Sequence, residues 1–215
     1  MDRIQWWRPA HHVLNQISSG WYKPSPPVSR QAPTQGWRQG VSEWIPQHTI
    51  FFNNTNMRLE HHIVLGNKLC YIGCKTFCFG RTASGESFTG GYMGRRFHAC
   101  HAGQPIWFEQ LRLEEGGEAM TGAVCLGSRG MCAMLIAARD GLPASIMGTA
   151  RESLGTIAAG QGHFGVSQFN SFLVVHYVGN SSETARRIMV QCWSLLWPEM
   201  QVRRRPLPET KVVSR

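Results

Sequence analysis

The chain has 215 residues, of which 42% are hydrophobic and 16% charged, with a formal net charge of +9. That is enough material for one sizeable core or two small ones, and no window approaches the roughly 18–20 consecutive apolar residues of a membrane-spanning helix. Of the 22 basic residues, 18 are arginines and 4 are lysines, a balance suited to forked hydrogen bonds with acidic protein surfaces as well as to nucleic acid.

In chain order, residues 1–40 form a Trp- and Pro-rich stretch without a clean period. It carries Trp6, Trp7, Trp21 and Trp37 and the cluster Pro24-Ser25-Pro26-Pro27, and is expected to be an irregular arm because proline resists both helix and sheet ladder. It has no apolar core ahead of a small-residue cleavage site, so no secretory signal is expected. With seven cysteines, an odd number, reduced thiols and a cytoplasmic location follow.

From Val41 the pattern turns to short strands with turn punctuation. "HTIFF" stops at "NNTN", "MRLEHHIVL" at Gly66-Asn67, and "KLCYIGCKTFCF" at Gly80. "GGYMGRRFHAC" and "PIWFEQLRL" flank "HAGQP", a hairpin-like break. "MCAMLIAA" and "SFLVVHYV" are continuous apolar runs of the kind a buried strand shows.

Two helices interrupt the series, at about 143–153 and 182–197. In the second, Ala185, Ile188, Met189, Cys192 and Leu196 make one apolar stripe; Ser181 or Ser182 caps its start and Pro198 helps end it. Residues 207–215 read as a basic tail after a β domain spanning 41–206.

Cys70, Cys74 and Cys78 are spaced by even numbers, so on a strand all three share one face. Cysteine behaves as a small hydrophobe, and a straight strand spreads these residues too far apart to grip one ion. They are therefore expected in the core. The remaining metal-like group is His98, Cys100 and His101, whose ligand types suit nickel or zinc; a strand end with solvent-facing histidines is the simpler explanation and the one expected. Asp2 and Asp140 are the chain's only aspartates, which leaves a Ser-His-Asp constellation little to draw on, and no phosphate-binding loop opens a helix.

Glu109 shares parity with Trp107, Leu111 and Leu113. An ionised carboxylate on that apolar face requires a partner, and Arg81, Arg95 and Arg96 are the candidates. The pair is either a structural ion pair or part of an internal polar passage.

Several stretches together resemble the urease accessory protein UreD (UreH) family. "SEWIPQHTIFFNNTNMRLEHHIVL" resembles its middle, and "CFGRTASGESFTGG" its Gly-Arg-x-x-x-Gly-Glu turn, here Gly80, Arg81, Gly85 and Glu86. "GQPIWFEQLRLEEG" resembles the following strand, with Glu109 and Arg112 in place, and "SFLVVHYVGNSSETARRIMVQCWSLLWPEM" the last strand and helix. The resemblance covers about Ser42 to Pro206.

It implies a mainly β fold, a β-helix-like stack of short strands with the two helices above, and a non-enzymatic role. Such a chain would act with UreF and the GTPase UreG as a scaffold on apo-urease subunits, with no tightly bound cofactor and nickel only in transit. No membrane or nucleic acid is expected as a partner. Three departures stand out. Residues 1–40 do not resemble the family's N-terminal half; Cys74-Lys75 stands where the family places Trp followed by an acid; and the ending differs. These imply a shortened relative whose function truncation would impair. The alternatives are a basic nucleic-acid-binding β module, from the arginine excess, and a metal-dependent enzyme using His98, Cys100 and His101.

Overall fold

The computed structural model describes residues 40–45, 48–65, 69–101, 103–114, 116–169 and 171–200. The expected arm and basic tail therefore lie outside the described residues. The described elements are β1 (Gly40–Trp44), β2 (Thr49–Phe51), β3 (Asn56–Leu65), β4 (Leu69–Phe79), β5 (Tyr92–His101), β6 (Gln104–Glu114), α1 (Glu118–Thr121), β7 (Met131–Ala138), α2 (Ser145–Ala158), β8 (Gly162–Phe169), β9 (Phe172–Gly179) and α3 (Ser182–Met200).

The strands form two sheets. The larger runs β1-β4-β7-β9-β8, with β2 also pairing β4; the smaller runs β3-β5-β6. From β2 to β5 the chain alternates between sheets, and β2 pairs β4 in parallel just as β3 pairs β5 in parallel. This is the expected β-helix-like coil. After β5 every pairing is antiparallel, so a hairpin and a meander complete the fold.

β4, "LCYIGCKTFCF", explains the layering. Its even positions Cys70, Ile72, Cys74 and Cys78 pack with the helices, and its odd positions Tyr71, Phe77 and Phe79 pack toward the smaller sheet. A strand buried on both faces reads as a continuous apolar run, and β7 and β9 do the same. The result is three layers: helices, large sheet, small sheet. The three β4 cysteines are reduced and lie on the helix-facing side, as their spacing predicts.

α3 buries Ala185, Ile188, Met189, Cys192, Leu196 and Met200 against the large sheet. Burying each of its large side chains contributes about 1.5–3 kcal/mol. The Ser181 hydroxyl caps the start, accepting from the Thr184 N–H at 3.1 Å. The helix passes through Pro198 and reaches Met200. The proline forfeits the bond that an N–H there would make to the Ser194 carbonyl and crowds that carbonyl, a local cost offset by the burial of Met200. α2 runs beyond the expected end to Ala158, because Leu154 and Ala158 continue its buried stripe.

Candidate functional site: a polar belt between the sheets

The inner face of the small sheet carries the odd residues of β5, namely Met93, Arg95, Phe97 and Ala99, all buried. Two apolar clusters fill the space between sheets. One gathers Phe51, Phe77, Phe79, Phe88, Met93 and Leu113; the other holds Tyr71, Phe97, Met134, Ile136, Phe172 and Val174. Where the two meet, polar side chains cross the interior.

On the large sheet Lys75, Met134 and His176 lie side by side in register. On the small sheet His61, Phe97 and Glu109 do the same. Arg95, one pleat away, reaches between the rows. It is only 3% exposed. Its Nη1 donates to Glu109 Oε1 at 3.2 Å and its Nη2 approaches Met134 Sδ at 3.0 Å. Its guanidinium lies 5.6 Å from the Phe77 ring centre and 5.8 Å from that of Phe97. Of the three arginines the sequence offered to Glu109, Arg95 is the partner. The other carboxylate oxygen of Glu109 lies 3.5 Å from His176 Nε2, and His176 is 46% exposed, so this end of the belt meets solvent.

At the other end Lys75 Nζ contacts His61 Nε2 and sits 4.5 Å from the Trp44 ring centre. β1 pairs with β4 over Leu69–Gly73 and β2 over Phe77–Phe79. Neither strand pairs with Cys74, Lys75 or Thr76, and Ile45 and His48 of the link between β1 and β2 lie beside Cys74 and Thr76.

Burial sets the charge states. It lowers the His61 imidazole to about 2, helped by the charges of Lys75, Arg95 and His62, and it lowers Lys75 to about 7, with Arg95 adding to the effect. Burial alone would raise Glu109. Hydrogen bonding to His176 and the charges of Arg95 and His176 outweigh that and hold the carboxyl below its usual range. The belt therefore holds one carboxylate, the permanent cation of Arg95 paired with it, and an amine that is about half protonated near neutrality. The Arg95 Nε is buried without a hydrogen-bond partner among the described residues.

The remaining sequence candidates fall elsewhere. The Gly80–Glu86 turn closes the far end of the sandwich. Arg81 Nε donates to Glu86 Oε2 at 2.5 Å, and Glu86 Oε1 accepts from the Asn53 N–H at 2.9 Å. The bond from Arg81, and then that from Asn53, lower the Glu86 carboxyl. Asn53 Oδ1 in turn accepts from the N–H groups of Thr89 and Gly90, so the turn welds β2 to the start of β5. Gly80 and Gly85 have φ of 86° and 75°, which requires glycine. Arg112 is exposed, on the β6 face opposite Glu109.

His98 stacks on His62 at 4.9 Å and tilts against Phe108 at 4.7 Å on the outer face of the small sheet. Pairing shifts between Ala99 and Cys100. Among the described residues no group of three or more His, Cys, Asp or Glu side chains could hold a metal ion, so His98, Cys100 and His101 are not assembled into a ligand set. Lys75, His61 and His176 were not singled out with Glu109, yet the same signal marks them. Each is a polar residue at a position whose strand neighbours of equal parity are apolar.

The model of the family described as UreD urease accessory protein matches residues 12–211. That span takes in most of the arm set apart from the resemblance above. The chain is 40% identical over 187 residues to the urease accessory protein UreD of Nitrosospira multiformis, covering 86% of this chain and 67% of that protein. It is 36% identical over 201 residues to the urease accessory protein UreD of a Janthinobacterium species, covering 93% and 68%. The UreD protein of Nitrosococcus oceani is 29% identical over 202 residues. The chain thus spans about two thirds of the length of the first two relatives.

Proposed function

The chain belongs to the UreD urease accessory protein family, and from this premise we propose that it is a cytoplasmic scaffold for urease maturation. With UreF and the GTPase UreG it docks on apo-urease subunits and supports nickel insertion without catalysing a reaction itself. The observation that carries this reading is the family match over residues 12–211.

The belt is the internal polar feature nickel would meet. Glu109 attracts a dication, and Arg95 repels it at comparable range. Lowering the Lys75 amine to about 7 reduces the second repulsion. No helix among the described residues is long and apolar enough to cross a membrane.

The reading is tested in cells that carry urease structural and accessory genes but lack their own UreD. Supplying this chain should restore urease activity and nickel content and should co-purify UreF. Urease that stays at the scaffold-free level despite a folded, abundant chain would refute the reading.

A further inference from the structure

The small sheet has a second row of polar side chains, on the side away from the belt. β3 and β5 pair in parallel, with His61 opposite Phe97 and His62 opposite His98. Successive strand residues point to opposite faces. His61 and Phe97 therefore turn into the interior, where both are buried, and His62 and His98 turn out. His62 is exposed and His98 half-buried. Their rings stand face to face, 4.9 Å between centres and 1° from parallel. Phe108 lies opposite His98 on β6 and tilts against it at 4.7 Å. His98 is thus held from the β6 side and meets His62 on the other. In the adjacent row Glu60 pairs with Arg96 at 3.8 Å, so the charges next to the imidazoles offset each other.

Neutral imidazole is a borderline ligand that suits late first-row dications, whereas hard cations take oxygen ligands. Two imidazoles bound to one tetrahedral ion at about 2.0–2.1 Å each place their nitrogens roughly 3–4 Å apart. Rings already parallel at 4.9 Å reach that separation by a small tilt inside their rotamer wells. Strand pairing sets the spacing and Phe108 restricts His98, so little order remains to be imposed on binding.

We propose that His62 and His98 form a two-imidazole site for a late first-row dication such as Zn²⁺ or Ni²⁺, with water filling the remaining positions. The partner of His98 comes from the neighbouring strand, not from Cys100 or His101 on its own. Among the described residues no third His, Cys, Asp or Glu completes a cluster there. Structural sites close the shell with four protein ligands; this one leaves it open, so the ion exchanges rather than being stored. The proposal does not rest on the maturation reading.

The full ¹⁵N-labelled chain is titrated with zinc chloride at neutral pH and followed by NMR of the histidine ring nitrogens. His62 and His98 should shift together, with a single Kd. In His62→Gln and in His98→Gln the remaining imidazole should bind at least about tenfold more weakly, because a second ligand held in place binds intramolecularly. Two resonances that move at different zinc concentrations, or a remaining imidazole that binds as tightly as the pair, would overturn the proposal. The stack would then be an ordinary cross-strand aromatic contact. The signals are read residue by residue, so zinc held by thiols or by other histidines does not enter. The unaltered chain alone shows whether the two resonances move together, which keeps the test decisive even where a variant fails to fold. Urease plays no part in the measurement, so its failure would leave the maturation reading standing.

Discussion

Arg95 and Glu109 show how one buried charge dictates its neighbours. A guanidinium 3% exposed is tolerable only with a carboxylate in reach, and removing one partner of such a pair typically costs about 3–5 kcal/mol. Glu109 keeps some solvent contact, so Glu109→Leu should destabilise the fold by about 3 kcal/mol, at the lower end. The double variant Arg95→Met/Glu109→Leu should recover most of that loss, because apolar groups of similar volume replace the pair. Urea denaturation measures both; a Glu109→Leu chain as stable as the parent would show that the pair is not buried as described. The belt also sets the pH response. Folded Lys75 titrates near 7, below the unfolded value of about 10.4, so between those values the unfolded chain binds more protons and stability rises with pH. His61, lowered to about 2, acts in the same direction from there up to its ordinary range. Glu109, held low, contributes stability above its unfolded value that is lost as pH falls through its folded one. All three weaken the fold in acid. Lys75→Met should therefore raise Tm most at about pH 6, with the gain shrinking as pH approaches about 10. A gain independent of pH would contradict the assignment.

Elements differ in how plainly their residues announce them. β4, β7 and β9 are apolar on both faces and stand between two layers, so their runs were readable, as was the even-numbered cysteine face. α3 was readable from its stripe, although its end was not, because packing of Met200 outweighs the proline. β8, "GHFGVSQF", escaped because it is an edge strand diluted by Gly162, Gly165, Ser167 and Gln168. α1 is a single turn after Gly116 and Gly117 with too little sequence to carry a period. The ion pair of Glu109 was legible because β6 alternates. The full belt was not, since one strand's pattern says which residues share a face and not which face lies opposite. At this scale the Gly80 turn is a weld rather than a site. A Cβ on Gly80 would lie 2.4 Å from the Glu86 carbonyl oxygen, at a φ of 86°. Gly80→Ala should cost about 1–3 kcal/mol and loosen the β2–β5 junction. Hydrogen exchange at the Asn53, Thr89 and Gly90 amides reads this directly; unchanged protection there would show that the turn does not hold the junction.

The described residues form one β coil extended by an antiparallel meander, with helices on one side and a small sheet on the other. The outer face of that small sheet carries exposed Val64 and Phe108 beside the stacked His62–His98 pair. Rigid layers of this kind present fixed surfaces, and the family match places them in urease maturation. As proposed, the chain serves urease by docking and passing nickel, and performs no chemistry on a substrate of its own. Nickel bound per urease active site, measured after co-expression with UreF, UreG and apo-urease in cells without another UreD, tests this most directly. Nickel and activity well above the level without the chain are expected. Nickel content that does not rise, with the chain folded and present, would contradict it.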